Sequence, residues 1–213
     1  MPKSLKYNYS RNHLSYTISI MTARTHDLAA ITALGAIVIM WPPHAVTLST
    51  ALVAVLANQL GGIAPDIDQP TAPFWRNLPV GHFVGKIFGR LIGGHRFLSH
   101  SILGLIAFSY LLKLLLALLH PIMPHVDTTL VWYAFIIGMT SHLVMDMLTK
   151  EGVPLLLPIP FKFGFPPLRK FRITTGKHVE ALVVFPALLG LNIWLYASHY
   201  VEIVTLLHKH LVR

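Results

Sequence analysis

The chain contains no cysteine, so neither disulfides nor thiolate metal ligands are available to it. It is also poor in charge: 12% of its residues are charged, against about 25% in a soluble domain. Acidic groups are scarcest, with eight in 213 residues. Several catalytic signatures are missing too. The absence of HExxH argues against a zincin-type intramembrane protease, and the absence of GxSxG against a standard serine hydrolase. His142 and Asp146 have the HxxxD spacing of lipid phosphatases, but the accompanying PSGH box is lacking. The first 20 residues are polar and carry no apolar h-region of a secretory signal.

What the chain has in abundance is apolar surface. Hydrophobic residues make up 54% and the mean hydropathy is +0.61, values of an integral membrane protein. Five apolar segments stand out, at 22–41, 45–64, 101–119, 129–148 and 181–206. Each approaches the roughly 20 residues that a spanning helix needs. The expected fold class is all-α, a polytopic bundle of four or five transmembrane helices. The first segment is short and can instead pair with the second as a helical hairpin. Residues 1–20 are expected to form a polar N-terminal extension without fold, 21–206 the membrane-embedded domain, and 207–213 a basic tail.

The net charge of +9 has a simple source. Four Lys or Arg precede the first helix core, four lie in 65–100 and six in 149–178, together 14 of 17. The alternate loops 42–44 and 120–128 hold none. The positive-inside rule places the N-terminus and both long loops in the cytoplasm. No nucleic-acid recognition motif accompanies the bases, so nucleic acid is not the expected partner. The two long loops combine prolines, aromatics and bases, the composition of segments lying on a membrane surface.

The few polar groups in and beside the apolar segments gather at one predicted membrane face. His26 starts the first segment, Asp66 and Asp68 follow the second, and His95, Arg96 and His100 precede the third. His142 and Asp146 close the fourth, and Glu180 opens the fifth. Ionisable groups in spanning segments mark function. His142 and Asp146, four apart, share a helix face and can grip one ion or simply hydrogen-bond. Asp66 and Asp68 can bind or bridge metals, or merely end a helix. His95 and His100 fall about 140° apart on a helical wheel, so one suits a ligand and the other a proton donor. Arg96 offers a planar fork for phosphate, or anchors the membrane edge. Ser99 and Ser101 can cap the following helix. The imidazoles and carboxylates together suffice for one to three divalent ions.

At these residues the chain resembles the YdjM-type membrane-bound metal-dependent hydrolases, some of which are linked to the LexA (SOS) damage response. The resemblance rests on MTARTHDLA, GGIAPDIDQP, GHRFLSHS and SHLVMDMLTKEGVPLLLP and covers about residues 21–185. Ala64 and Ser99 depart from the leucine and threonine usual in that family. The resemblance implies a bacterial inner-membrane protein with a hydrolase site. The order of its His, Asp and Glu residues is also distantly similar to zinc-dependent phospholipase C. The expectation is a phosphoesterase acting on a lipid or amphiphile, with the bilayer as its setting. His26, Asp66, His100, His142, Asp146 and Glu180 would be metal ligands, for zinc first and manganese or iron(II) otherwise. Asp68 would be a base or a bridging carboxylate, Arg96 a phosphate clamp and His95 a proton donor. The alternatives are a non-catalytic, metal-stabilised membrane protein and a di-iron oxygenase. The second needs HxxHH boxes that the chain lacks.

Overall fold

The computed structural model describes residues 23–91, 97–159, 161–174 and 179–211. The predicted extension at 1–20, together with His95 and Arg96, therefore lies outside the described residues. Among those described, the chain is helical and contains no strand. Five helices are long and apolar enough to cross a membrane, as the hydropathy pattern predicts.

Helix α1 is Ala23–Met40 and ends before the Pro42–Pro43 pair. Helix α2, Leu48–Ile63, starts at Thr47, whose hydroxyl accepts from the Thr50 amide at 3.1 Å. It stops at Pro65, tightening into a 3₁₀ turn over Ala64–Asp68. Two short helices follow, α3 at Pro73–Arg76 and α4 at Gly81–Leu91. Helix α5, Ile102–Leu119, is capped by Ser101, and α6, Thr128–Met147, by Asp127, whose carboxylate accepts from the amides of Thr129 and Leu130. These side chains satisfy amides that a helix start leaves orphaned.

The last span, Glu180–Ser198, opens with a wide π turn over Glu180–Val184 and continues as helix α7, Phe185–Ser198. Pro186 explains the widening. It has no amide proton to offer, and its ring would strike the carbonyl four residues earlier in a regular helix. The predicted continuous segment 181–206 is broken at His199, whose φ −116 and ψ 25 leave helical geometry. Ser198 contributes by turning its hydroxyl back to the Trp194 carbonyl at 2.6 Å. A separate helix α8, Tyr200–Leu211, carries the first part of the predicted basic tail.

The tightest helix pair is α2 with α6, and small residues make it so. Ala57 and Gly61 on α2 meet Ala134 and Gly138 on α6, a small-xxx-small seam on each helix. A Cβ on Gly61 would collide with the Phe135 carbonyl, and one on Gly138 with the Asn58 carbonyl. The Asn58 amide donates to the Ala134 carbonyl at 3.1 Å and locks the register. Val131, Phe135, Met139 and Leu116 fill the core among α2, α5 and α6. Around it, Leu52, Leu56, Leu60, Leu111, Leu118 and Ile193 face outward, as lipid-facing side chains do. On the far flank, Asn192 of α7 donates to the Thr32 hydroxyl of α1.

The loop after α6 is ordered without being helical. Its backbone caps the end of α6: the Phe165 amide donates to the Met147 carbonyl at 2.8 Å and the Ile173 amide to the Leu148 carbonyl at 3.0 Å. The Arg172 guanidinium gathers the loop by donating to the carbonyls of Gly164, Pro166 and Pro167. Phe161, Phe165, Leu168 and Phe171 project outward beside Lys162, Arg169 and Lys170. On the other long loop, Phe83, Val84 and Ile87 of α4 are likewise exposed.

Candidate metal centre

The α2–α6 seam runs directly into the site. His142 lies four residues beyond Gly138 on the same face of α6. The close approach of the helices lets its Nδ1 reach the Gly62 carbonyl at 2.6 Å. That carbonyl is in the last turn of α2, where carbonyls lack regular partners, and Pro65 has no amide proton to give it. A carbonyl only accepts, so His142 carries its proton on Nδ1. The Nε2 lone pair then points into the site, where it makes no hydrogen bond among the described residues.

His100 is oriented by different means. Its Nδ1 is 2.9 Å from the Ser99 hydroxyl and 3.4 Å from Asp68 Oδ2. Ser99 donates its single proton to Asp68, so its oxygen accepts from the imidazole. Asp68, Ser99 and His100 are all buried. The ring's other nitrogen, Nε2, faces Asp146 Oδ2 at 3.2 Å and Asp66 Oδ1 at 3.9 Å. Burial pushes the His100 pKa down, but hydrogen bonds to Asp146 and Asp68 and their charge outweigh it, and the value is raised to about 9.

His26, from the first turn of α1, stacks on the His142 ring with centroids 4.0 Å apart. Its Nε2 lies 3.7 Å from Asp146 Oδ1, and its Nδ1 makes no hydrogen bond among the described residues. His142 Nε2 sits 3.8 Å from both Asp66 Oδ1 and Asp146 Oδ2. Thus three imidazole Nε2 atoms from three elements converge on two carboxylates from two elements. Two ligand groups result, His26–His142–Asp146 and Asp66–His100–His142, each with donor atoms within 4.8 Å of one another.

The donor set fits a divalent ion. Most of these separations, 3.7 to 3.9 Å, are too long for hydrogen bonds. They are near the roughly 3.4 Å between ligands bound about 2.1 Å from one tetrahedral ion. His142 and His100 each have Nδ1 held by an oxygen acceptor, the Gly62 carbonyl and the Ser99 hydroxyl, with Nε2 facing a carboxylate, the orientation such an ion requires of its histidine ligands. His142 can serve one ion only, because its Nδ1 is committed to Gly62. The two groups therefore share a single nitrogen, and of their members Asp66 and Asp146, with two oxygens each, can join two ions.

The other predicted residues are placed as follows. Asp68 lies on the opposite side of the His100 ring from this convergence, so its carboxylate reaches the centre only through the imidazole. Glu180 is buried at the π turn and lines, with Thr25, His26 and Thr149, a cavity of about 20 Å³ beside the cluster, room for about one water. Four of the convergent residues are almost fully buried, whereas the Asp66 side chain is 28% exposed. Sequence reasoning missed the Gly62 carbonyl and read Ser99 only as a helix cap. The cap of α5 is Ser101, and Ser99 serves the site. Its position beside His100 was the available signal.

These features define a multi-pass helical membrane protein with a buried His/Asp cluster at one end of its bundle. The family model described as YdjM inner membrane protein matches residues 21–210, and the chain belongs to that family. It is 29% identical to the inner membrane protein YdjM of Escherichia coli (strain K12) over 140 residues, 62% of this chain and 61% of that protein. YdjM of Shigella flexneri matches to the same extent. The chain thus spans about three fifths of the length of those two relatives. It is 24% identical to YvsG of Bacillus subtilis (strain 168) over 164 residues, covering 77% of this chain and 88% of YvsG. No solved structure matches. The relatives and the apolar helices together support a multi-pass inner-membrane location.

Proposed function

We propose that the chain is a metal-dependent hydrolase that cleaves a phosphoester of a lipid or other amphiphile at the cytoplasmic face of the membrane. The observation that carries this reading is the convergence of His26, His100 and His142 Nε2 on Asp66 and Asp146. The cytoplasmic orientation rests on the 14 of 17 Lys and Arg at that end.

In this reading His26, Asp66, His100, His142 and Asp146 hold one or two divalent ions, zinc first; Glu180 lies outside both ligand groups and lines the small cavity beside His26. A bound ion lowers the pKa of a water and polarises a phosphoryl oxygen. Asp66, the most exposed of the convergent carboxylates, faces the side from which substrate approaches and takes the proton from that water. Asp68 and Ser99 hold His100 in place and strengthen it as a ligand. Arg96, a few residues before His100 in the chain, binds the substrate phosphate, and His95 protonates the leaving oxygen. The basic, aromatic loops seat the headgroup layer beside the site.

The near-complete burial of four of the ligands favours a second reading, a closed structural site that binds the helix ends together. One experiment separates the two. The full chain is purified gently, its metal measured by elemental analysis, and phospholipids are offered in mixed micelles. The hydrolase reading expects bound metal and phosphoester cleavage, both abolished in His142→Ala, with both kept in His199→Ala. His199 lies just past the far end of α7, a helix roughly 21 Å long at 1.5 Å per residue. Metal without cleavage of any phosphoester supports the structural site; absence of metal defeats both.

A further inference from the structure

The cluster occupies one side of α1. The adjoining side carries a feature that the cluster does not use. Arg24, Asp27, Leu28 and Ile31 follow one another at helical spacing and form one stripe of α1. With Gln59 of α2 and Phe185 at the start of α7, they line an open groove of about 360 Å³, within the range of small-ligand sites.

The groove is graded along the axis of α1. Its polar end, at the first turn of α1, holds the Arg24 guanidinium, the Asp27 carboxylate and the Gln59 amide. Its apolar part is made by Leu28, Ile31 and Phe185. Arg24 and Ile31 are seven residues apart, roughly 10 Å along the helix. The Gln59 amide donates to the Asp27 backbone carbonyl at 3.3 Å, which fixes the wall. The half-buried Asp27 carboxylate makes no hydrogen bond or ion pair among the described residues. An unpaired carboxylate at a membrane edge is costly without a cation.

We propose that this groove binds a phospholipid of the surrounding bilayer whose headgroup carries both a phosphate and a primary ammonium. Arg24 takes the phosphate with its planar fork. Asp27 takes the ammonium, and one acyl chain lies along Leu28, Ile31 and Phe185. A purely anionic headgroup would place no cation against Asp27. The proposal goes beyond the hydrolase reading, and the binding itself does not depend on turnover.

The test uses the full chain in nanodiscs containing phosphatidylethanolamine and phosphatidylglycerol in equal amounts. Each lipid in turn carries a photoreactive acyl chain, and labelled peptides are mapped by mass spectrometry. The expected result is labelling around Leu28 and Ile31 that favours phosphatidylethanolamine. Asp27→Asn should erase the preference, and Arg24→Gln should lower labelling by either lipid about tenfold, as loss of one charge-assisted contact implies. Ile31→Trp, which fills the groove, should abolish labelling there while peptides around Leu111 and Leu114 label as before, the control for intact folding. Equal labelling by both lipids in the unsubstituted chain overturns the proposal. So does crosslinking of a photoreactive p-benzoylphenylalanine placed at Ile31 to residues 1–22 instead of to lipid. Selective labelling without hydrolysis of any lipid overturns the hydrolase reading and leaves the groove standing.

Discussion

His142 Nδ1 and the Gly62 carbonyl meet at 2.6 Å across the α2–α6 seam. This contact joins the packing of the bundle to the chemistry of the cluster. The seam must be close for the imidazole to be oriented, and it is close because Gly61 and Gly138 have no side chains.

Gly138→Ala is therefore expected to act at a distance. The new Cβ meets the Asn58 backbone carbonyl, which cannot rotate away, so the helices must separate. Overpacking of this kind costs about 1–3 kcal/mol. Thermal unfolding in detergent should show the loss, and metal content should fall although no ligand has changed. Unaltered metal content would mean that the seam does not position His142.

Asp68→Asn and Ser99→Ala should leave all the convergent donors in place yet loosen His100. Loss of a partner behind a ligand typically costs 10–100-fold in metal affinity. Chelator competition is the measurement. A retained affinity with a collapsed rate would instead give Asp68 the role of base that its sequence position first suggests.

The raised His100 pKa gives a pH dependence whose sign reverses with metal. In the metal-free chain the protonated imidazole stabilises the fold. That contribution is complete below its unfolded value of 6.5 and is lost as pH rises through about 9. A metal ion must displace the Nε2 proton, so affinity should rise with pH across the same window and each binding event should release a proton. Competition with a chelator at several pH values between 6.5 and 9 tests this. An affinity independent of pH would remove His100 from the ligand set.

Orientation is open to direct labelling. Asn77 is exposed in the loop between α3 and α4, and the chain has no cysteine of its own. Asn77→Cys should resist an impermeant thiol reagent in intact cells and react after permeabilisation. Labelling of intact cells would invert the topology and move the cluster to the outer face.

The spans could be read from the chain because burial in lipid imposes long apolar runs, and local chemistry marks their ends: Thr47, Ser101 and Asp127 as caps, Pro42 and Pro65 as stops. The ligand-bearing motifs were equally visible, since imidazoles and carboxylates are rare in such segments and all fell at alternate ends. The pattern of a helix says which end a residue occupies, however, not what its ring nitrogens face. Only the packed structure set Asp68 behind His100, committed His142 Nδ1 to Gly62 and left Nε2 of three histidines pointing at Asp66 and Asp146. It also broke the last apolar segment at His199 and widened its first turn at Glu180, because backbone hydrogen bonding around Ser198 and Pro186 overrides an unbroken apolar pattern. Composition determined that this chain lives in a membrane. Tertiary contacts between residues as many as 160 positions apart, such as Thr32 and Asn192, decided which of its few polar side chains meet, since directional donors act only when packing aims them.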